Sequence, residues 1–175
     1  MLILCIGPDT FRALEKAREL EQAFCAKFDT AGTSVERLGS GSTVVDQIIE
    51  RVNTLSLFTP RRFIRVADLV KTCPKAKQPA LVRALLQDPE NAIVVSVEAE
   101  VPNEVAMKAF AEVPKFVRYD FPIQVGSGFS TWVVTIAEKL GVKDKNAARQ
   151  IAEVAEGDSW LAWNELLKLA AGGTS

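Results

Sequence analysis

The chain has 175 residues, 48% of them hydrophobic and 25% charged, with 21 basic and 22 acidic side chains and a formal charge of −1. That length suits one domain with a small appendage, and that balance suits a globular protein rather than a wholly basic nucleic-acid binder. There is no histidine, which excludes Ser-His-Asp and Cys-His catalysis, HExxH zinc sites, histidine-ligated iron or copper, and a histidine pH switch.

The first element is the apolar run Leu2–Ile6, which reads as a buried strand. Gly7-Pro8-Asp9 is a turn, and Asp9 or Thr10 caps the helix that follows. That helix carries Phe11, Leu14, Ala17, Phe24 and Phe28 along one side, with Arg12, Glu15, Lys16, Glu19 and Glu21 largely outside. Ser34 to Leu38 is a second strand, and Gly39-Ser40-Gly41-Ser42 a loop. A helix with Val44, Val45, Ile48, Ile49 and Val52 inside leads to Leu55-Ser56-Leu57-Phe58-Thr59-Pro60-Arg61-Arg62, and Phe63 to Val66 is a third strand.

Lys71 to Gln78 reads as a polar loop, and Pro79 suits the first turn of a helix through Leu86. Ile93-Val94-Val95-Ser96-Val97 has the β-branched character of a central strand. Pro102 opens another helix, and Phe116 to Tyr119 is the fifth strand. Strands alternating with helices predict a parallel sheet covered on both faces. From Pro122 the character changes. Gln124 to Ser130 reads as a loop, and only helical patterns follow: Thr131 to Leu140, a helix capped by Asp144, and one running from Gly157-Asp158 through Leu169. The expected division is an α/β domain over 1–122 and a three-helix domain over 123–175.

The three cysteines, Cys5, Cys25 and Cys73, are odd in number and far apart, with no CxxC. That argues against a disulfide scaffold or a four-cysteine metal site and suits a reducing compartment. No apolar run approaches the roughly 20 residues of a membrane span, and the N-terminus lacks the features of a signal peptide, so the expected location is the cytoplasm.

A three-layer α/β domain with a small helical lid is the layout of many nucleotide-driven ATPases, whose first strand leads into GxxxxGK[ST]. Here it leads into Gly7-Pro8-Asp9-Thr10-Phe11-Arg12. Only one glycine is present, Pro8 removes an amide donor, no Lys-Ser or Lys-Thr pair follows, and Asp9 repels phosphate. A Walker B strand ends in acidic residues that hold magnesium, whereas Val94-Val95-Ser96-Val97-Glu98 offers Glu98 alone. A working ATPase is therefore not expected. Glu98 and Glu100 flank a strand end, where they either share a metal or sit in a solvated loop.

Two stretches carry a family pattern. Leu55-Ser56-Leu57-Phe58-Thr59-Pro60-Arg61-Arg62-Phe63-Ile64-Arg65-Val66 resembles the DNA polymerase III delta subunit, the clamp-opening member of the bacterial clamp loader. Trp132-Val133, Gly141-Val142, Ala147-Ala148, Ile151-Ala152-Glu153, Gly157-Asp158 and Glu165-Leu166-Leu167-Lys168-Leu169 are similar to the lid domain of the same family, and the opening Ile6-Gly7-Pro8-Asp9-Thr10-Phe11 resembles its start.

The resemblance implies an AAA+/RecA-like parallel-sheet domain lacking a phosphate loop, followed by the helical lid. It implies a non-catalytic subunit of the DNA polymerase III holoenzyme that needs no cofactor or metal. Such a subunit binds the ring-shaped sliding clamp, the beta subunit, and opens it during DNA replication, in company with the other loader subunits. The clamp contact would be Ser56, Leu57 and Phe58. Leu and Phe are worth about 1.5–3 kcal/mol each when moved from water into an apolar pocket, enough for a small hot spot. By residue type alone, Leu57 and Phe58 also read as core residues at a helix end.

Arg61, Arg62, Arg65, Lys71, Lys75, Lys77 and Arg83 stand against one acid, Asp68, between 61 and 83. They form either a DNA- or partner-facing patch or a solvated edge whose stems cover the sheet. Trp160 and Trp163 suit packing between lid helices. Members of the family continue into a C-terminal collar domain, and here the chain stops at Ala170-Ala171-Gly172-Gly173-Thr174-Ser175. The expectation is a truncated chain or a shortened relative without the collar. Two other readings remain from the residues: a magnesium-dependent nucleotide-processing enzyme built on Glu98 and Glu100, and an adaptor domain with another partner.

Overall fold

The computed structural model describes residues 1–54, 61–87 and 90–172. The chain divides into two compact units, Met1–Phe121 and Pro122–Ser175. The first is built on five strands, β1 (Leu2–Ile6), β2 (Val35–Leu38), β3 (Arg62–Ala67), β4 (Ala92–Glu98) and β5 (Phe116–Asp120). All four pairings are parallel, in the order β2-β3-β4-β1-β5. The strands alternate with α1 (Thr10–Phe28), α2 (Ser42–Asn53), α3 (Leu69–Thr72), α4 (Gln78–Gln87) and α5 (Glu104–Ala111).

The centre of the sheet explains its sequence. All five residues of β1 are buried, with β4 on one side and β5 on the other. A strand covered on both faces has no polar side to present, so Leu2-Ile3-Leu4-Cys5-Ile6 is continuous rather than alternating. Leu2, Leu4, Ile6, Ile64, Val66 and Val94 face α2, α4 and α5, where Val45, Ile48, Leu81, Leu85 and Phe110 complete one core. Ile3, Cys5, Phe63 and Val95 face α1, which contributes Ala13, Ala17 and Phe24. These two cores make the unit three layers thick.

Glu21 departs from expectation. Instead of standing outside, it is buried under α1. Its carboxylate accepts from Arg37 Nη2 at 2.5 Å and lies 3.3 Å from Arg65 Nη1. Arg37 and Arg65 are register partners on β2 and β3, so one acid neutralises two cations on neighbouring strands. A charge leaves water at tolerable cost only when it is paired in this way.

Two expected loops are partly helical. Within residues 71–78, the end of α3 and a 3-10 turn at Lys75–Lys77 precede α4. In the second unit α6 (Gly126–Lys139) begins inside the expected loop over 124–130. Its Gly-Ser-Gly opening is poor in helix propensity, but that turn delivers Phe129 into the core, and packing outweighs propensity. Phe129, Val133 and Ala137 of α6 pack with Ala148, Ala152 and Ala155 of α7 (Lys145–Ala155) and with Ala162 and Leu166 of α8 (Ser159–Gly172). Asp144 caps α7 through the amides of Asn146 and Ala147. Among the described residues no helix is long and apolar enough to cross a membrane.

Gly7 has φ 145°, and a Cβ there would lie 2.2 Å from the Phe121 carbonyl oxygen. We expect Gly7→Ala to cost about 3 kcal/mol or more, because the strain and the clash are both backbone-borne. Urea denaturation followed by far-UV circular dichroism checks this; an unchanged midpoint refutes it.

Candidate functional site

The carboxyl ends of the strands in an open parallel sheet form the usual ligand crevice. The loop leaving β1 is where a phosphate-binding sheet presents free amides at a helix N-terminus. In this chain those amides are taken up by carbonyls of the chain itself. The Gly7 amide donates to the Glu98 carbonyl at 2.9 Å, the Asp9 amide to Phe121 O at 3.2 Å, and the Thr10 amide to Pro8 O at 3.0 Å. Pro8 has no amide to give. The Asp9 carboxylate is buried and accepts from the Arg12 amide at 3.1 Å, with Arg12 Nη1 3.4 Å away. The positive end of α1 therefore already holds an anion, and that anion is part of the chain.

The second acid of the crevice is used in the same way. Glu98, fully buried at the end of β4, accepts from Ser96 Oγ at 2.6 Å, the Val70 amide at 2.8 Å and the Lys71 amide at 3.3 Å. Burial pushes its carboxyl above the ordinary range, against the opposing pull of these hydrogen bonds. Glu100 is exposed and pairs with Lys71 Nζ at 2.9 Å, which raises the lysine. Glu98 and Glu100 thus have separate partners rather than a shared site. Among the described residues no group of three or more His, Cys, Asp or Glu side chains is placed to hold a metal ion. Burial also pushes the Cys5 and Cys73 thiols up to about 12 and about 11, far from the thiolate form that attacks.

Ser56, Leu57 and Phe58 lie outside the described residues. The basic stretch that follows is dispersed. Arg61 stacks on Phe28, with its guanidinium carbon 3.9 Å from the ring centroid. Arg62 opens β3. Arg65 joins Arg37 on Glu21, Lys71 pairs with Glu100, and Lys77 Nζ reaches Asp46 Oδ2 at 2.5 Å. Lys71 and Lys75 line a cleft of about 530 Å³ with Val101 and Val105. Asp68 is the one acid between residues 61 and 83, and the counter-ions Glu21, Asp46 and Glu100 come from outside that stretch.

No protein-family model matches the chain, and no curated protein matches it in sequence. Solved structures do. The Bacillus subtilis DNA clamp loader delta protein superposes with a TM-score of 0.59 at 18% identity, over 99% of this chain and 53% of its own. A DNA polymerase III gamma subunit-related protein from Thermotoga maritima gives a TM-score of 0.52 at 18% identity, over 98% of this chain and 53% of its own. This chain has the fold of the clamp-loader proteins. The resemblance read from its residues holds at the level of the fold. The chain spans about half the length of these two structures.

Within that fold, Asp9 and Glu98 are internal ligands for helix ends, and each predicts a measurable effect. Asp9→Ala removes the cap of α1 and should cost about 1–2 kcal/mol, while Asp9→Asn should retain most of it, since Asn caps nearly as well. For Glu98 the folded value is raised, so the folded state holds a proton that the unfolded state releases. The resulting penalty is absent below the unfolded glutamate value and grows as pH rises through and above it. The stability of the parent protein relative to Glu98→Gln should therefore fall between pH 4.5 and pH 7. Urea midpoints of the two proteins at both pH values test the sign.

Proposed function

We propose that this chain works as the delta-type subunit of a bacterial clamp loader, binding the sliding clamp and opening it for loading onto DNA. The observation that carries the proposal is the pairing of a clamp-loader fold with a first loop whose phosphate-facing groups are engaged within the chain. A subunit of this kind acts by binding and by mechanical work, not by turning over a nucleotide. In this reading it lacks catalytic activity of its own, requires no cofactor, and functions in the cytoplasm beside the other loader subunits.

The clamp contact is assigned to Ser56, Leu57 and Phe58, on the family pattern of the Ser-Leu-Phe segment between α2 and β3. Two adjacent large apolar side chains provide the affinity, and the serine directly precedes them in sequence. Arg61, Arg62, Arg65, Lys71, Lys75 and Lys77 are assigned contacts with partner subunits or with DNA phosphates. Of these, Lys75 stands on the 3-10 turn and lines the same cleft as Lys71. Surface pairs such as Lys71–Glu100 are weak in water and exchange readily for an external anion.

The test is direct binding of the full chain to the sliding clamp of its own replication system, by surface plasmon resonance. Losing both apolar anchors removes about 3–6 kcal/mol of burial, so Leu57→Ala with Phe58→Ala should weaken binding about a hundredfold or more. Wild-type affinity in that double variant would withdraw the assignment. In parallel, equilibrium dialysis with ATP and magnesium should show no retained nucleotide; stoichiometric retention would withdraw the non-catalytic reading.

A further inference from the structure

We infer that the cleft between α3 and the start of α5 binds a short acidic segment of a partner protein, with Lys71 and Lys75 holding its carboxylate and Val101 and Val105 covering an apolar neighbour. The inference rests on the partner-facing reading of Lys71 and Lys75 given above, which it narrows, and not on the clamp contact. The cleft encloses about 530 Å³, a size that takes small ligands. One wall is α3 with the 3-10 turn, carrying Lys71 and Lys75. The other is the loop from β4 into α5, carrying Glu100, Val101 and Val105.

Both walls are fixed by the chain itself. The Leu69, Val70 and Lys71 amides of α3 donate to Ser96 and Glu98 of β4. Opposite them, Asn103 caps α5 by accepting from the Ala106 amide at 2.9 Å. Asp68 joins the two walls, since its Oδ1 accepts from the Ala99 amide at 3.2 Å. A preformed cleft spares a bound segment the cost of ordering its receptor.

The rim sets the chemistry of the occupant. Val101 is 62% and Val105 69% exposed, so two branched apolar side chains stand in water beside two cations. Lys71 pairs with Glu100, whose side chain is 72% exposed. That carboxylate returns to water at little cost when another takes its place. A ligand with no apolar part would leave the valines wet, and a purely apolar one would desolvate the ammonium groups unpaired. A carboxylate next to a branched or aromatic side chain satisfies both. Two lysines against one carboxylate suit a single negative charge better than a polyphosphate. Among the described residues no aromatic side chain lines the cleft, so the bases of a nucleic acid find nothing to stack on.

The test uses the full chain, immobilised, and two pools of short peptides with Gly and Ser at the ends. Val, Leu, Ile or Phe stands on either side of a central residue, which is Asp in one pool and Asn in the other. The Asp pool should be retained about three- to tenfold better, the margin of an ionic over a neutral hydrogen bond. Lys71→Met with Lys75→Met keeps the apolar stems and should abolish that preference. Val101→Ser with Val105→Ser should lower retention of both pools. Glu100→Gln should raise retention of the Asp pool, a gain that a merely structural role for the ion pair does not give. Backbone amide shifts in a nuclear magnetic resonance titration should fall at 70–78 and 101–106. Equal retention of the two pools, a preference that survives in the double lysine variant, or shifts confined to other residues would overturn the inference. If an oligothymidylate is retained through these lysines and the Asp pool is not, DNA is the partner and only this narrowing falls. If neither probe depends on the lysines, the partner-facing reading of Lys71 and Lys75 falls as well. Leu57→Ala with Phe58→Ala should change none of these readings, which keeps the clamp assignment separate.

Discussion

The carboxylate of Asp9 sits on the amino end of α1, and the first unit is organised around that choice. The loop that carries it is tied to the neighbours of β1 on both sides: Gly7 to the end of β4 through Glu98 O, and Asp9 to the exit of β5 through Phe121 O. Phe121 in turn donates its amide to Ile6 O at 2.7 Å. Strands β4, β1 and β5 therefore end in one knot of backbone hydrogen bonds. Opening that knot to admit a phosphate would leave several buried donors and acceptors without partners at once, and each costs about 1–3 kcal/mol.

Glu98 repeats the principle one strand away. In an α/β enzyme, acids at the carboxyl ends of strands point to a metal or a substrate. Here both face amides of their own chain, Asp9 at the start of α1 and Glu98 at the start of α3. The electrostatic features of a ligand site are all present, with helix ends, acids and a basic neighbour in Arg12, but they are satisfied within the molecule. What the fold retains is a platform whose strand ends are closed by hydrogen bonds of its own.

Much of this was legible in the sequence. Continuous apolar runs announced β1 and β4, and the single glycine followed by Pro8-Asp9 announced that the first loop was not a phosphate cradle. Glu21 was misread, although a signal existed. It stands four residues after Ala17 and three before Phe24, on the inner stripe of α1, and an acid in an apolar stripe implies buried partners. Those partners, Arg37 and Arg65, come from strands whose pairing no local window reveals. The ion pairs of the basic stretch were illegible for the same reason, because its counter-ions arrive from distant elements. The start of α6 was missed because its first turn is favoured by the burial of Phe129 rather than by propensity.

The order β2-β3-β4-β1-β5 leaves β2 and β5 as the two open margins of the sheet. Unpaired margins are templates for unwanted strand addition between molecules. On β2, Glu36 pairs with Arg51 at 2.9 Å and Arg37 with Glu21. On β5, Arg118 grips Asp120 through both Nε and Nη2. A foreign strand docking at either margin would have to strip water from these charges. The parallel sheet, whose core is so apolar that it has no polar face, thus carries its own protection against self-association where it ends.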